Sequence, residues 1–266
     1  MASWLHLVVL LVCACSFVGC KKQDSASTSY GYVYGTLGDV QIRIPKDEVF
    51  IFDYVDTDDG ASKLQRSCAS QIASATLFLR WPGMDPKNAK NESDFKATRW
   101  KSIGDTQWMD VGFLSSALRK DYKQEDDEYL GRLKRFYLNK SEYGMANNDL
   151  EVKYDDKNLV LGLNSALVIG PPSTPVTATK ATPEEYRLYW RSHDDQDKSP
   201  ATLIKCATGE RYDPPRWTPL CNMKFHIKEM NMDVRVGYTA NLLPEWLAIE
   251  NAVRSHLSSY KASCPQ

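Results

Sequence analysis

The side chains that could do chemistry gather in two acidic strings, a few histidines and a set of cysteines. Asp53, Asp56, Asp58 and Asp59 run up to Gly60 and contain a DxDDG string, and Ser192, His193, Asp194, Asp195, Gln196 and Asp197 form a second cluster. Oxygen-rich loops hold calcium when ligands alternate and a glutamate closes the loop at the twelfth position, and neither string has that register. They read as solvated turns or as the edge of a protein-binding surface. In the second reading Asp56, Asp58, Asp59, Asp194, Asp195 and Asp197 are the candidate partner contacts, because exposed carboxylates steer a basic partner and raise its rate of approach. Past the N-terminal run the histidines are His193, His226 and His256, and no HExxH zinc motif, phosphate loop or GxSxG nucleophile elbow accompanies them. His226 alternates with Phe225 and Ile227, and His256 borders an apolar helical stripe, so both read as structural. No catalytic residue, metal-ligand set or cofactor is expected.

Cysteine usage points to an oxidising compartment. Of seven cysteines, Cys13, Cys15 and Cys20 belong to the N-terminal run, which leaves Cys68, Cys206, Cys221 and Cys264. An even number in an exported chain suits two disulfides, with three connectivities open. Cys206 and Cys221 flank a turn-rich segment containing Gly209, Pro214, Pro215 and Pro219, between two strand-like runs, and we pair them. Closing a loop of about 15 residues is worth roughly 3 kcal/mol in the chain-entropy view. Cys264 then reaches back to Cys68 and clamps the C-terminal tail onto the first half. Neither pair has the CxxC spacing of a zinc site.

The address is written at the start. Trp4 to Gly19 is an uncharged, mostly apolar run, short of the about 20 residues a membrane-spanning helix needs, and it reads as a signal-peptide core over residues 1–19. It ends at Ser16-Phe17-Val18-Gly19-Cys20, followed at once by Lys21-Lys22-Gln23-Asp24-Ser25. This resembles a bacterial lipobox, which implies that Cys20 becomes the lipidated first residue of the mature chain. Phe17 stands where that family usually has Leu, and no Lys or Arg precedes the apolar run. Several acyl chains on one residue make attachment effectively permanent. Lys21, in place of an inner-membrane retention aspartate, favours the outer membrane facing the periplasm, with the inner membrane as the other possibility. Residues 20–29 then form a flexible leash.

The elements behind these residues are mostly strands. With 266 residues, 42% of them hydrophobic, the chain can bury a sizeable core, and Lys+Arg 33 against Asp+Glu 34 gives it no basic field for nucleic acid. Asp39 to Pro45 alternates at period two, and strand-like runs recur at Ala73–Trp81, Trp108–Phe113, Leu150–Tyr154, Asn158–Leu163, Tyr186–Trp190, Ala201–Cys206, Met223–Ile227 and Asp233–Tyr238. Asp155-Asp156-Lys157 and Glu229 to Met232 look like hairpin connections. A helix is expected from Pro244 through Tyr260, where Trp246, Leu247, Ile249, Val253 and Leu257 repeat at helical spacing, and another from Asp121 to Asn139. Pro171-Pro172-Ser173-Thr174-Pro175 is the candidate linker. The expected fold is α+β: a largely antiparallel sheet, a covering C-terminal helix, and two subdomains, residues 30–170 and 180–266, sharing a core. Tyr30, Tyr32 and Tyr34, with Trp81, Trp100, Trp108, Trp190 and Trp217, should be mostly core, with one or two exposed as interface anchors.

The lipobox, the segment Tyr34 to Pro45, the Cys206 and Cys221 pair and the closing strand and helix from Val234 to Tyr260, with Leu243 and Trp246, together resemble lipidated periplasmic immunity proteins that accompany type VI secretion phospholipase effectors. The resemblance touches about a third of the mature chain. It implies a non-enzyme that binds a toxic lipase and blocks its active-site entrance or holds its lid, and it transfers no contact residue. The alternatives are an outer-membrane lipoprotein that scaffolds an envelope or secretion assembly, and a periplasmic enzyme or solute-binding protein, which would need an enclosed pocket of converging polar groups.

Overall fold

Alternation of apolar and polar residues along most of the chain becomes strand after strand of one antiparallel sheet. A computed structural model describes residues 31–55, 68–98, 106–116, 126–139, 151–155, 159–173, 182–192, 200–208 and 219–263. In chain order the strands are β1 (Tyr32–Leu37), β2 (Val40–Pro45), β3 (Val49–Tyr54), β4 (Ile72–Arg80), β5 (Asp85–Pro86), β6 (Trp108–Ser115), β7 (Glu151–Tyr154), β8 (Asn164–Ser173), β9 (Thr182–Ser192), β10 (Pro200–Ala207), β11 (Leu220–Ile227) and β12 (Met232–Thr239). The helices are α1 (Glu92–Thr98), α2 (Asp126–Asn139) and α3 (Trp246–Ser258). β1 and β2 form a separate hairpin, closed at Gly38 with φ 57°, a conformation in which a side chain would be strained. The large sheet has the order β3-β4-β6-β12-β11-β10-β9-β8-β7, with β5 added to β4. Strands from both sides of the proline-rich segment therefore share it.

One sheet face is apolar over the central strands. Leu77, Leu79, Met109, Val111, Met223, Phe225, Val234 and Val236 point into it and meet Trp246, Ile249, Val253 and Leu257 of α3. The expected covering helix is thus present, although Pro244 lies in a preceding 3₁₀ turn, Ala240–Glu245. Among the described residues the other face is packed only toward its ends. Leu130 and Leu138 of α2 sit on Ala166, Val168, Tyr186, Leu188, Trp190 and Leu203. At the opposite end Phe95 of α1 lies between Phe78 and Trp108, edge-on to the indole. The α+β class, with a largely antiparallel sheet and a covering C-terminal helix, is the fold observed.

Some local expectations need correcting. Of the expected strand Asn158–Leu163, the described part from Leu159 is not a strand: Val160 and Leu163 pair across Leu161 and Gly162, both with positive φ, which is the backbone of a two-residue hairpin turn. That turn, beyond Asp155, connects β7 to β8, and Tyr154 pairs with Ala166. Pro171, Pro172 and Ser173 are not linker but the end of β8, where a register irregularity between Ile169 and Pro172 accommodates the prolines. The Glu229 to Met232 connection is a hairpin as expected, built from a 3₁₀ turn and a left-handed Asn231.

Candidate functional site

Strand register brings distant residues into rows across the face opposite α3. One row runs Ile51, Thr76, Gly112, Arg235, Lys224 over β3, β4, β6, β12 and β11. The flanking rows carry Ser74, Leu114, Asp233 and His226 on one side, and Phe78, Asp110, Gly237 and Asn222 on the other. Residues of these rows line a cleft of about 650 Å³, with Phe50 of β3 and Tyr129 of α2 in its walls. Gly112 gives the floor its depth: a Cβ there would meet nothing closer than 3.8 Å. Gly237 is a different case, because its Cβ would collide with the Asp110 carboxylate.

The rim is apolar and the floor is charged. Phe50, Ile51 and Leu114 are 56%, 48% and 52% exposed, an apolar grouping beside the charged rows. Phe50 and Ile51 are both exposed although adjacent, because the pairing of β3 with β4 slips between Val49 and Ile51. Asp110 on the floor lies 3.6 Å from Arg235, whose side chain is 57% exposed, and beside the cleft His226 Nδ1 lies 3.1 Å from Asp233 Oδ1. Lys224 stands directly opposite Arg235, a like-charge cross-strand pair that weakens a sheet. Among the described residues no carboxylate comes within ion-pair distance of Lys224. Its ammonium lies 5.9 Å from the Tyr137 ring, and Lys205 stacks 4.0 Å from the Tyr186 ring. Burial holds the Lys224 pKa below its ordinary value, and the charges of Arg235 and Lys205 add to this against a weaker pull from Asp233.

Two other polar groupings serve the framework. Glu250 of α3, 1% exposed, accepts from Arg191 at 3.1 Å, from Arg254 at 2.9 Å and from the Thr202 hydroxyl at 2.7 Å. Arg254 also donates to the His226 carbonyl. Glu48 accepts from the Tyr260 hydroxyl at 2.5 Å, with His256 Nε2 at 2.8 Å from the same hydroxyl. Burial raises the Glu48 pKa, but hydrogen bonds from His256 and Tyr260 and the charge of His256 outweigh it and hold the carboxyl below its ordinary range.

Of the residues expected from sequence to act, Cys206 and Cys221 are joined in a disulfide across β10 and β11. Cys68 is disulfide-bonded. Cys264, Cys20 with the N-terminal run, and Asp56, Asp58, Asp59, Asp194, Asp195 and Asp197 lie outside the described residues, as do Tyr30, Trp100 and Trp217. Asp53 is described, and it accepts a hydrogen bond from the Ser74 hydroxyl at the sheet edge. The described tryptophans are core: Trp81, Trp108 and Trp246 donate their indole N–H groups to Glu245, Asp94 and the Leu161 carbonyl. Tyr32 is exposed, and the exposed apolar side chains at the cleft are Phe50, Ile51 and Leu114. Their one sequence signal is the apolar run Val49-Phe50-Ile51-Phe52 just ahead of the first acidic string. Among the described residues no three His, Cys, Asp or Glu side chains gather as metal ligands. No described helix is long and apolar enough to cross a membrane.

No family model matches the chain, and no curated protein matches it significantly. Among solved structures, an immunity protein of the Stenotrophomonas maltophilia type IV secretion system is similar over 88% of this chain and 94% of its own, with a TM-score of 0.50 at 15% identity. The iron-regulated outer-membrane lipoprotein FrpD of Neisseria meningitidis aligns over 87% of this chain and 92% of its own, with a TM-score of 0.40 at 12% identity. The first likeness establishes that this fold recurs at low sequence identity.

Proposed function

We propose that this chain is an immunity protein of the bacterial envelope, held at the membrane through lipidated Cys20, that binds a toxic effector and blocks it without catalysing a reaction. The observation that carries the reading is the cleft, with exposed Phe50, Ile51 and Leu114 set around a charged floor on the strands of a ten-stranded sheet. Large apolar side chains held on rigid strands suit a protein interface, where a few buried anchors supply most of the binding energy. An enclosed reaction chamber would bury them. The likeness in fold to a type IV secretion immunity protein supports the same class. The resemblance of the lipobox, the N-terminal hairpin and the closing helix to type VI lipase immunity proteins supports the finer reading, in which the effector is a lipase occluded at its active site or lid. Cys68 bonded to Cys264 would fix the tail of this scaffold, and the acidic strings around Asp56 and Asp194 would form an outer rim that speeds association.

The test mixes the chain with the effector encoded beside it and follows lipid hydrolysis. Inhibition at one equivalent, through a complex burying about 1,600 Å² or more, is the expected result. Unchanged hydrolysis at stoichiometric excess overturns inhibition, and lipid hydrolysis by the chain alone overturns the non-enzymatic reading. Replacing Cys20 by Ser should release the protein from membranes.

A further inference from the structure

We infer that the cleft opposite α3 receives an apolar segment of the partner protein that carries an acidic side chain, with Lys224 and Arg235 selecting the carboxylate and Phe50, Ile51 and Leu114 packing the apolar part. The inference rests on the protein-binding reading above and adds the chemistry of what enters.

The floor is charged in an incomplete way. Arg235 has Asp110 at 3.6 Å and Asp233 has His226 at 3.1 Å, whereas among the described residues Lys224 has an aromatic neighbour but no carboxylate within ion-pair distance, and its cross-strand partner is another cation. A half-buried ammonium loses part of its hydration, and a facing guanidinium makes that worse. An arriving carboxylate reverses both penalties at once, through charge-assisted hydrogen bonds to the two cations. Among the described residues, the charges of Arg235 and Lys205 bear on the Lys224 ammonium more than that of Asp233 does. The open floor at Gly112 lies next to Arg235 in the same row, so a side chain can descend to these cations.

The surroundings say what bears the carboxylate. A free anion or a lipid headgroup needs no apolar collar, and a flat bilayer surface does not descend into a recess. Phe50, Ile51 and Leu114 stand exposed around the cations and offer contact area to a segment of chain. An acidic residue flanked by aliphatic or aromatic residues satisfies floor and rim together.

The experiment screens the detergent-solubilised full chain against displayed random peptides of about twelve residues, then measures effector affinity for two variants. Lys224→Glu places an acid opposite Arg235 and should fold, and Gly112→Val fills the floor without changing charge. The expected result is enrichment of peptides joining Asp or Glu to large apolar residues, a shift of that preference to Lys or Arg with Lys224→Glu, and a loss of effector affinity of tenfold or more in both variants at unchanged melting temperature. Absence of enrichment, enriched peptides without acid, or Lys224-dependent binding to phosphatidylglycerol vesicles in place of peptides would overturn it. If Lys224→Glu inhibits the effector as well as the parent chain does, the cleft inference falls and the immunity reading stands. If no effector is inhibited but acidic peptides are still selected, the immunity reading falls and the cleft chemistry stands.

Discussion

Glu250 on the helix-covered face and Lys224 on the cleft face are both ionisable side chains withdrawn from water against β-strands, but their surroundings differ in kind. Around Glu250 the chain supplies two guanidinium groups and a hydroxyl, and both arginines are themselves held, Arg254 4.4 Å over Phe225 and Arg191 5.3 Å over Trp246. Each charge is answered from within. Around Lys224 the described residues supply a facing cation and an aromatic ring, with no carboxylate within ion-pair distance. Buried charge survives in folded proteins when its partners are complete. A site left incomplete breaks the agreement between local and global preference that folding favours, and such breaks concentrate where a protein meets something else. The Glu250 site is framework, and the Lys224 site is where the proposed partner would complete the charge.

Substitutions can break or sharpen that contrast. Glu250→Ala should have the largest effect, a loss of about 3 kcal/mol in urea unfolding, because it leaves two arginines without their acid; a loss under about 1 kcal/mol would erase the distinction between the faces. Converting Cys206 and Cys221 together to Ala removes a link on the same packed face, with a sequence separation of 15. By loop entropy this costs about 3 kcal/mol, a fall of about 6–12 °C by calorimetry for a domain of this size, and the cleft should still select the same peptides. Lys224→Met should move stability the other way, up by as much as about 1 kcal/mol as the like-charge pair is relieved, while effector binding weakens. A loss of both stability and binding would make Lys224 framework too. The smallest effect is a pH slope. The Glu48 pKa lies below its ordinary 4.5 in the folded chain, so its stabilising contribution is complete above that value and is lost as pH falls through the folded value. Urea midpoints measured from about pH 3 to 6 should show this slope in the parent and a shallower one in Glu48→Gln.

How much of this could be read from residue order differs between the two faces. The packed face was legible, because inward positions of β4, β6, β11 and β12 alternate and α3 repeats at three- and four-residue steps, and those periods are local. β8 was not legible, since Pro171 and Pro172 signal an interruption and the strand that carries them tolerates it only through its irregular pairing with β9. The cleft was illegible for another reason. Lys224 and Arg235 occupy the polar positions of alternating strands, where a solvated residue and a site residue look alike. Only register sets them side by side, and Gly112, Thr76 and Ile51 join them from strands far away in sequence. The acidic strings drew attention because they are contiguous, whereas the cations of the cleft are not.

The ends of the described fold hold one another. The Arg43 N–H donates to the Tyr260 carbonyl and the Ala262 N–H to the Gln41 carbonyl, and the Tyr260 hydroxyl reaches Glu48 across 212 positions of sequence. β6 likewise has no neighbour on one side until β12 exists. A chain made from its N-terminus therefore carries its first hairpin and a central strand through almost the whole of synthesis without their partners. Long-range pairings of this kind form late and slowly. The growing chain cannot join its two ends until its last segment emerges. It also exposes unpaired strand edges during that interval. The final turn after α3 acts as a latch on timing, setting the moment at which the body can close.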